Sequence, residues 1–286
     1  SDVCSSDLKG MLSDAICQEL EIPSVPVIAV CGHDTQSAVI SVPFTDEKPF
    51  AFISCGTWAL FGTELKHPVM NADAFKQEMS NEVGYDDTVT FLKNITGLWL
   101  IQETKRTLNQ RGYNYSFADL ETMARDAEAG KRFIDVNADA FSVSGDMPER
   151  VRLWCSQSGQ PEPEETGEIV RCIYESLACK FRETLDDMQK CTGETYEKIC
   201  MLGGGVKDSL LCQLTADICG IPVYTGTTEA TAMGNAVVQF ASAGIVQTLP
   251  EMRKLIENSV TVKQYAPNSE NAYIYDNYLK IYKKEA

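Results

Sequence analysis

The sequence predicts an α/β fold in which a mixed sheet is covered by helices on both faces. Three observations carry this. Short apolar runs alternate with amphipathic stretches through the last third of the chain, as strand–helix units in a layered sheet do. Two apolar runs, 50–55 and 58–62, are separated only by Gly56-Thr57, which reads as a hairpin and makes the sheet mixed. The stretch Leu202-Gly203-Gly204-Gly205-Val206-Lys207-Asp208-Ser209 reads as a strand end, a triple-glycine turn and the first turn of a helix. With 286 residues and 44% apolar content, the chain can bury a full core as one large domain or two small ones.

In chain order, residues 11–21 read as a short helix stopped by Pro23, and Pro23 and Pro26 enforce an extended lead-in. The five-residue run 27–31 (Val-Ile-Ala-Val-Cys) is β-branched and apolar throughout, the pattern of a strand buried on both faces. It ends in Gly32-His33-Asp34-Thr35, and residues 37–40 begin a helix. After the hairpin, Val89, Phe91 and Leu92 mark a third strand, and Asn94-Ile95-Thr96-Gly97 leads into a helix from Leu98 to Gln110. A helix over 116–130 starts at Ser116, with Asp119 in its first turn, and stops at Gly130. Residues 133–136 look like a strand, and Met147-Pro148 opens another helix. From Glu168 to Cys191 the apolar positions Ile169, Ile173, Leu177, Phe181, Leu185 and Met188 keep helical spacing, which predicts a central packed helix. A strand at 196–202, the glycines, a helix closed by Gly220 and a strand at 222–224 follow. A helix of small residues opens at 228–236, where small side chains permit close helix approach, and surface helices occupy 249–258 and 269–284.

Net charge is -16, which argues against nucleic acid or an anionic membrane as partner. No apolar run approaches the ~20 residues a membrane helix needs, and nothing has the order of a signal peptide. The 11 cysteines contain no CxxC pair, and the two histidines, His33 and His67, give no zinc site of common spacing, so no metal ligands are assigned. The cysteines read as reduced core residues of a cytoplasmic protein. Cys155 and Cys172 flank the loop 159–164, which is long enough to allow a bridge between them; reduced and bridged forms both stay open here. Residues 1–8 resemble the in-frame translation of a sequencing-adapter oligonucleotide fused to a gene that starts further upstream. They are left out of the fold reading, which treats 9–286 as the domain.

Each candidate site has two readings on its own. Asp34 follows a strand end, where ligands of open α/β sheets collect, and equally suits an N-cap. Gly56-Thr57 offers N–H groups and a hydroxyl to a phosphate, or is an ordinary turn. The triple glycine lets a backbone approach a ligand, or simply turns tightly.

Taken together, Gly32-His33-Asp34-Thr35, Ser54-Cys55-Gly56-Thr57-Trp58, Gly203-Gly204-Gly205 and the Glu229–Ala236 segment resemble the carboxy-terminal lobe of the FGGY carbohydrate kinases, in the ribonuclease H-like, actin-like ATPase superfamily. The likeness runs from about residue 10 to about residue 270. It implies Asp34 as the catalytic base, His33, Asp34, Thr35 and Asn94 as sugar contacts, and Gly56 and Thr57 beside the transferred phosphoryl group. Gln102, Gly203, Gly204, Gly205 and Asp208 fall at nucleotide-binding positions, with Gly204 the central contact. The motif context is most like members that phosphorylate L-rhamnulose at the 1-hydroxyl; kinases for xylulose, fuculose or glycerol, or a non-catalytic actin-like nucleotide-binding module, are the alternatives. The resemblance implies ATP and Mg2+, a small-molecule sugar, and an amino-terminal lobe in cis that these residues lack. Asp208 departs from the family, where Asn is common, and Cys55 stands where Ser is more usual.

Overall fold

Alternation in residues 51–61 builds the centre of the sheet, because successive side chains of a strand point to opposite faces. Strands β1 (Leu8–Met11) and β2 (Pro26–Ile28) flank helix α1 (Asp14–Leu20), and α2 (Asp34–Ile40) precedes the hairpin of β3 (Ala51–Cys55) and β4 (Trp58–Leu65). Next come α3 (Ala72–Lys76), β5 (Ser80–Val83), β6 (Val89–Thr96), α4 (Trp99–Gln110), α5 (Phe117–Asp126), α6 (Met147–Gln157) and α7 (Thr166–Thr192). The chain then runs through β7 (Ile199–Leu202), α8 (Ser209–Cys219), β8 (Val223–Thr225), α9 (Ala230–Ser242), α10 (Leu249–Ser259), β9 (Gln264–Tyr265) and α11 (Tyr273–Tyr278). This computed structural model describes residues 6–46 and 48–284, so the first five residues of the adapter-like segment lie outside the described residues.

The main sheet has seven strands in the order β5-β6-β4-β3-β7-β8-β9. Strand β3 is the hinge of the topology: it pairs antiparallel with β4 and parallel with β7. On one face Ala51, Ile53, Cys55, Ala59, Phe61, Phe91 and Ile95 pack under α7 and its neighbouring helices. On the other, Phe52, Leu92, Cys200 and Leu202 pack under α2 and α9, with Ala38, Val39 and Ala230 from those helices. The mixed sheet with helices on both faces is therefore the observed fold.

Helix α7 is the long central helix expected, at 27 residues, with a capping box between Glu165 and Glu168 at its start and Gly193 in the left-handed region (φ 73) at its end. Helix α5 has the predicted Ser116–Asp119 capping box but ends at Asp126, four residues before Gly130. Helix α1 begins only at Asp14, because Met11 belongs to β1. At the C-terminus one predicted helix becomes a 3-10 turn at Ser269–Asn271, α11 and a π-helical turn at Leu279–Lys283.

Two strand predictions fail. Residues 27–31 do not enter the main sheet: β2 pairs only with β1, in a separate antiparallel ribbon, and Val27 is 42% exposed. An unbroken apolar run gives the right composition for a buried strand, yet burial needs a second layer, and none covers this ribbon among the described residues. Residues 133–136 are buried without being a strand. Side chains supply their hydrogen bonds: Gln160 accepts from Phe133 N (2.6 Å) and donates to Phe133 O (2.8 Å), and Ser176 Oγ accepts from Ile134 N (2.9 Å). A buried backbone must be paired, but the partner need not be another strand. Strands β5 and β9 have no counterpart in the sequence reading.

The small-residue helix makes the close approach expected of it. A Cβ at Gly234 of α9 would stand 1.7 Å from the Ser37 carbonyl oxygen of α2, so only glycine permits the two helices to meet at this spacing. The first prediction follows from that contact. Gly234→Ala should lower stability by about 1–3 kcal/mol, the usual cost of forcing extra atoms into a packed interior. Urea denaturation checks it, and an unchanged midpoint would show the helices free to separate.

Candidate active site

Helix α2 starts at the bottom of a cavity of about 480 Å³. His33, extended at φ -130, caps the helix: the Thr35 N–H donates to His33 Nδ1 (3.3 Å) and to Asp34 Oδ1 (2.8 Å). Asp34 is therefore the first residue of the helix and not its cap. Its side chain is 74% exposed and faces the cavity, with Oδ1 3.3 Å from His33 Nδ1. Thr231 of α9 donates its hydroxyl to the Asp34 carbonyl (3.3 Å), which ties the start of α2 to the helix Gly234 brings close.

Across the cavity stands the β3–β4 hairpin. Ser54 of β3, Leu60 of β4 and Asn94 of β6 are direct cross-strand neighbours, so their side chains share the cavity face of the sheet. Gly56 and Thr57 form the tip. The start of α4 grips this tip through three N–H donors: Leu98 to Gly56 O (2.8 Å), and Gly97 and Trp99 to Thr57 O (3.0 and 3.2 Å). Thr57 Oγ1 donates to Gln102 Oε1 on the next turn of α4 (3.3 Å). Gln102 in turn lines a neighbouring groove of about 510 Å³ with Lys105, Arg106, Asn109, Gln110 and Phe117.

The triple glycine does not open α8 directly. It forms its own 3-10 turn, Gly203–Lys207, and α8 begins afterwards with Asp208 as N-cap. The three glycines do different things. Gly203 has φ +77, where a side chain is strained, and Gly205 is packed so that a Cβ would lie 2.7 Å from the Cys55 Cβ. Gly204 is exposed, and a Cβ there would meet nothing closer than 3.7 Å. Gly204 is thus the one with an open backbone, while Gly205 serves contact with the hairpin.

Asp208 accepts from Leu211 N (3.0 Å). Burial pushes its carboxyl up to about 6; the Tyr174 hydroxyl and Leu211 N–H pull it back, while nearby Glu121 raises it further. The fully buried Tyr174 hydroxyl makes no hydrogen bond of acceptable geometry. Burial, aided by the charge of Asp208, also pushes the Cys55 thiol up to about 12, so Cys55 is a neutral packing group behind the hairpin. The bridge considered between Cys155 and Cys172 is not formed; both are buried free thiols.

The cavity thus gathers His33, Asp34, Thr35, Gly56, Thr57 and Asn94, all singled out from sequence, and sets Gln102 and the glycines behind the hairpin tip. Sequence reasoning missed Glu82 on β5. Its carboxylate is held by Gln36 Nε2 (2.8 Å), whose own Oε1 accepts from the buried Thr90 hydroxyl, and it lies 3.7 Å from His33 Nδ1. A single Glu on an edge strand has no motif around it, so only the fold could have found it. Also missed was Gly97, where a Cβ would stand 2.6 Å from the Trp58 carbonyl carbon.

Residues 51–243 match the C-terminal domain of the FGGY family of carbohydrate kinases. The rhamnulokinase of Bacteroides thetaiotaomicron is 38% identical over 264 residues, which is 92% of this chain and 53% of that protein. The rhamnulokinase of Ligilactobacillus salivarius is 39% identical over 258 residues, 90% of this chain and 52% of that protein. The chain therefore spans about half the length of the curated relatives it matches. Among solved structures, gluconate kinase from Lactobacillus acidophilus superposes with a TM-score of 0.72 at 16% identity, over 98% of this chain and 55% of that one, which shows a shared fold.

Two predictions separate the roles of these residues. Gly205→Ala should cost about 1–3 kcal/mol of stability through its clash with Cys55, whereas Gly204→Ala should stay within about 0.5 kcal/mol of wild type. In ADP titration calorimetry Gly204→Ala should bind several-fold more weakly; unchanged affinity would remove the nucleotide from that backbone. Asp208 sets a pH dependence. Its folded pKa, about 6, lies above the 3.8 of an ordinary aspartate, so its contribution to stability is complete below about 4 and is lost as pH rises through about 6. Asn caps as well as Asp and carries no charge. The urea midpoint of Asp208→Asn relative to wild type should therefore climb between pH 4 and 6 and then level off; a flat difference would contradict the raised pKa.

Proposed function

The chain belongs to the FGGY family of carbohydrate kinases, and we propose from this that it is the nucleotide-binding, carboxy-terminal lobe of an ATP-dependent kinase acting on the 1-hydroxyl of L-rhamnulose. The observation that carries the reading is the convergence of Asp34, His33, Thr35 and Asn94 with the Gly56–Thr57 tip on one cavity. The rhamnulokinase relatives, at 38% and 39% identity, favour rhamnulose over other ketoses.

In this reading the sugar hydroxyl lies against Asp34. The hydroxyl oxygen bonds to the γ-phosphorus as the bond from that phosphorus to the β–γ bridging oxygen breaks, ADP leaves, and the hydroxyl proton passes to the Asp34 carboxylate. In a loose transition state the hydroxyl loses its proton late, so one carboxylate within reach of it is the base the step needs. Thr57 and the Gly56 backbone steady the phosphoryl group, Gln102 holds Thr57, and Gly204 presents its backbone to the nucleotide. Asn94, His33 and Thr35 take the sugar hydroxyls.

Asp34 and Glu82 both bring carboxylates to the cavity, so a transferring phosphate needs a cation. Among the described residues no three His, Cys, Asp or Glu side chains are grouped to cage a metal. A magnesium ion carried by nucleotide phosphates and water fits such a site, since it keeps several waters and needs only one or two carboxylates, and Glu82 is the cavity carboxylate that is not the base. It would supply charge neutralisation of the phosphates.

The reading also assigns a second lobe in cis, packed across the open side of the cavity. The segment through β1, α1 and the lead-in to β2 supports this, since it leaves Met11, Leu20 and Val25 exposed (57%, 58% and 43%), apolar side chains of the kind a domain contact covers. No helix among the described residues is long and apolar enough to cross a membrane. The free thiols suit a reducing, cytoplasmic compartment.

Asp34→Asn in the full-length kinase should lower kcat/KM for L-rhamnulose by ~10²-fold or more, the range a general base contributes. Because Asp34 is exposed, the melting temperature should hold. A coupled ADP-release assay checks this, and wild-type turnover by the variant would favour a non-catalytic nucleotide-binding module.

A further inference from the structure

The cavity wall carries an apolar stripe that phosphoryl transfer does not use. Trp58 and Leu60 are two residues apart on β4 and so point to the same face, the face that bears Ser54 and Asn94. Leu60 sits directly between Ser54 and Asn94 in the cross-strand row, and Trp58 lies one step nearer the rim, 59% exposed. The two are the large apolar side chains of a cavity otherwise lined by hydrogen-bonding groups and the Gly56 backbone. Leu60 is anchored from behind by the core under α2, and the indole is left open beside it.

A site that read only hydroxyl groups would have no use for this stripe. Sugar hydroxyls set against Trp58 and Leu60 would lose water without gaining a partner, whereas a methyl group there is removed from water at no such cost. We infer that Trp58 and Leu60 are specificity-determining residues of this cavity, the pair that reads the deoxygenated carbon of the acceptor. The inference rests on the kinase reading and narrows it. The stripe selects a methyl at C6 and leaves the configuration of the remaining carbons to Asn94, His33 and Thr35.

The comparison that isolates the stripe is L-rhamnulose against L-fructose, which differs from it by a hydroxyl on C6. An apolar wall rejects a ligand that adds one hydroxyl by about 10²-fold. In the full-length kinase, kcat/KM should favour L-rhamnulose by about that ratio. Trp58→Gln should reduce L-rhamnulose kcat/KM by about tenfold, one methyl-sized contact, and leave L-fructose nearly unchanged, so that the preference falls to about tenfold. Trp58→Phe should keep most of it, and melting temperatures should not move, because the indole is exposed. A preference unchanged by Trp58→Gln, or an equal loss for both sugars, overturns the inference while leaving the kinase reading intact. Wild-type enzyme that phosphorylates neither ketose defeats the kinase reading, and the inference with it.

Discussion

Everything at this site depends on the tip of the β3–β4 hairpin being held by backbone and not by side chains. A Cβ at Gly97 would enter the Trp58 carbonyl carbon at 2.6 Å, and one at Gly205 would enter Cys55 at 2.7 Å. Glycines therefore bring α4 from one side and the 3-10 turn from the other into direct contact with residues 55–58. Three N–H groups at the start of α4 then fasten Gly56 and Thr57. As a result the backbones of Thr57, Gln102 and Gly204, far apart in sequence, are fixed relative to one another, and the Gln102 side chain adds a bond to the Thr57 hydroxyl. Preorganised backbone is what stabilisation of a transferring phosphoryl group requires.

The opposite wall is fixed by the same device. Gly234 lets α9 touch the backbone of α2, and Thr231 on α9 holds the Asp34 carbonyl. Asp34 itself has an exposed side chain, so its position comes from its helix and not from burial. The Thr90–Gln36–Glu82 chain adds a second support through His33. Gln36 and Thr90 are buried, and a buried amide with both ends paired is a rigid spacer between α2 and strands β5 and β6. The cavity width is set by these two glycine-mediated contacts and this one polar bridge.

Legibility of the sequence follows from where each signal resides. The hairpin, α7 and the sequence-chosen cavity residues could be read because their signals are local: alternation, helical periodicity, and motifs of adjacent residues. The failures concern partners. Residues 27–31 carry the composition of a buried strand, yet only Val27 and Ile28 are strand, paired with β1 and outside the main sheet, while Cys31 reaches a core as loop. Residues 133–136 are buried, but Gln160 and Ser176 pair their backbone in place of a strand. Glu82 was invisible because what makes it part of the site is Gln36, distant in sequence. The triple glycine was legible as a turn and not as three separate tasks, since only packing against Cys55 distinguishes Gly205 from Gly204.

The charge balance of the site then bears on how it must work. A chain of net charge -16 presents Asp34 and Glu82 to the cavity that the proposed reading gives to a polyanion's terminal phosphate. The basic side chains Lys105 and Arg106 lie in the neighbouring groove beyond Gln102, and Arg106 is already bound by Glu103 at 2.8–2.9 Å. Attraction to the phosphate therefore cannot come from this wall's own cations; it has to come from backbone N–H groups, a counter-ion carried with the nucleotide, and whatever closes over the open side. An exposed carboxylate such as Asp34 also remains solvated, and a base keeps its selectivity for the sugar over water only when water is expelled. Both requirements point the same way under the proposed kinase reading: a lobe that positions acceptor, base and donor needs closure from outside it to supply the dry, neutralised environment in which they would react.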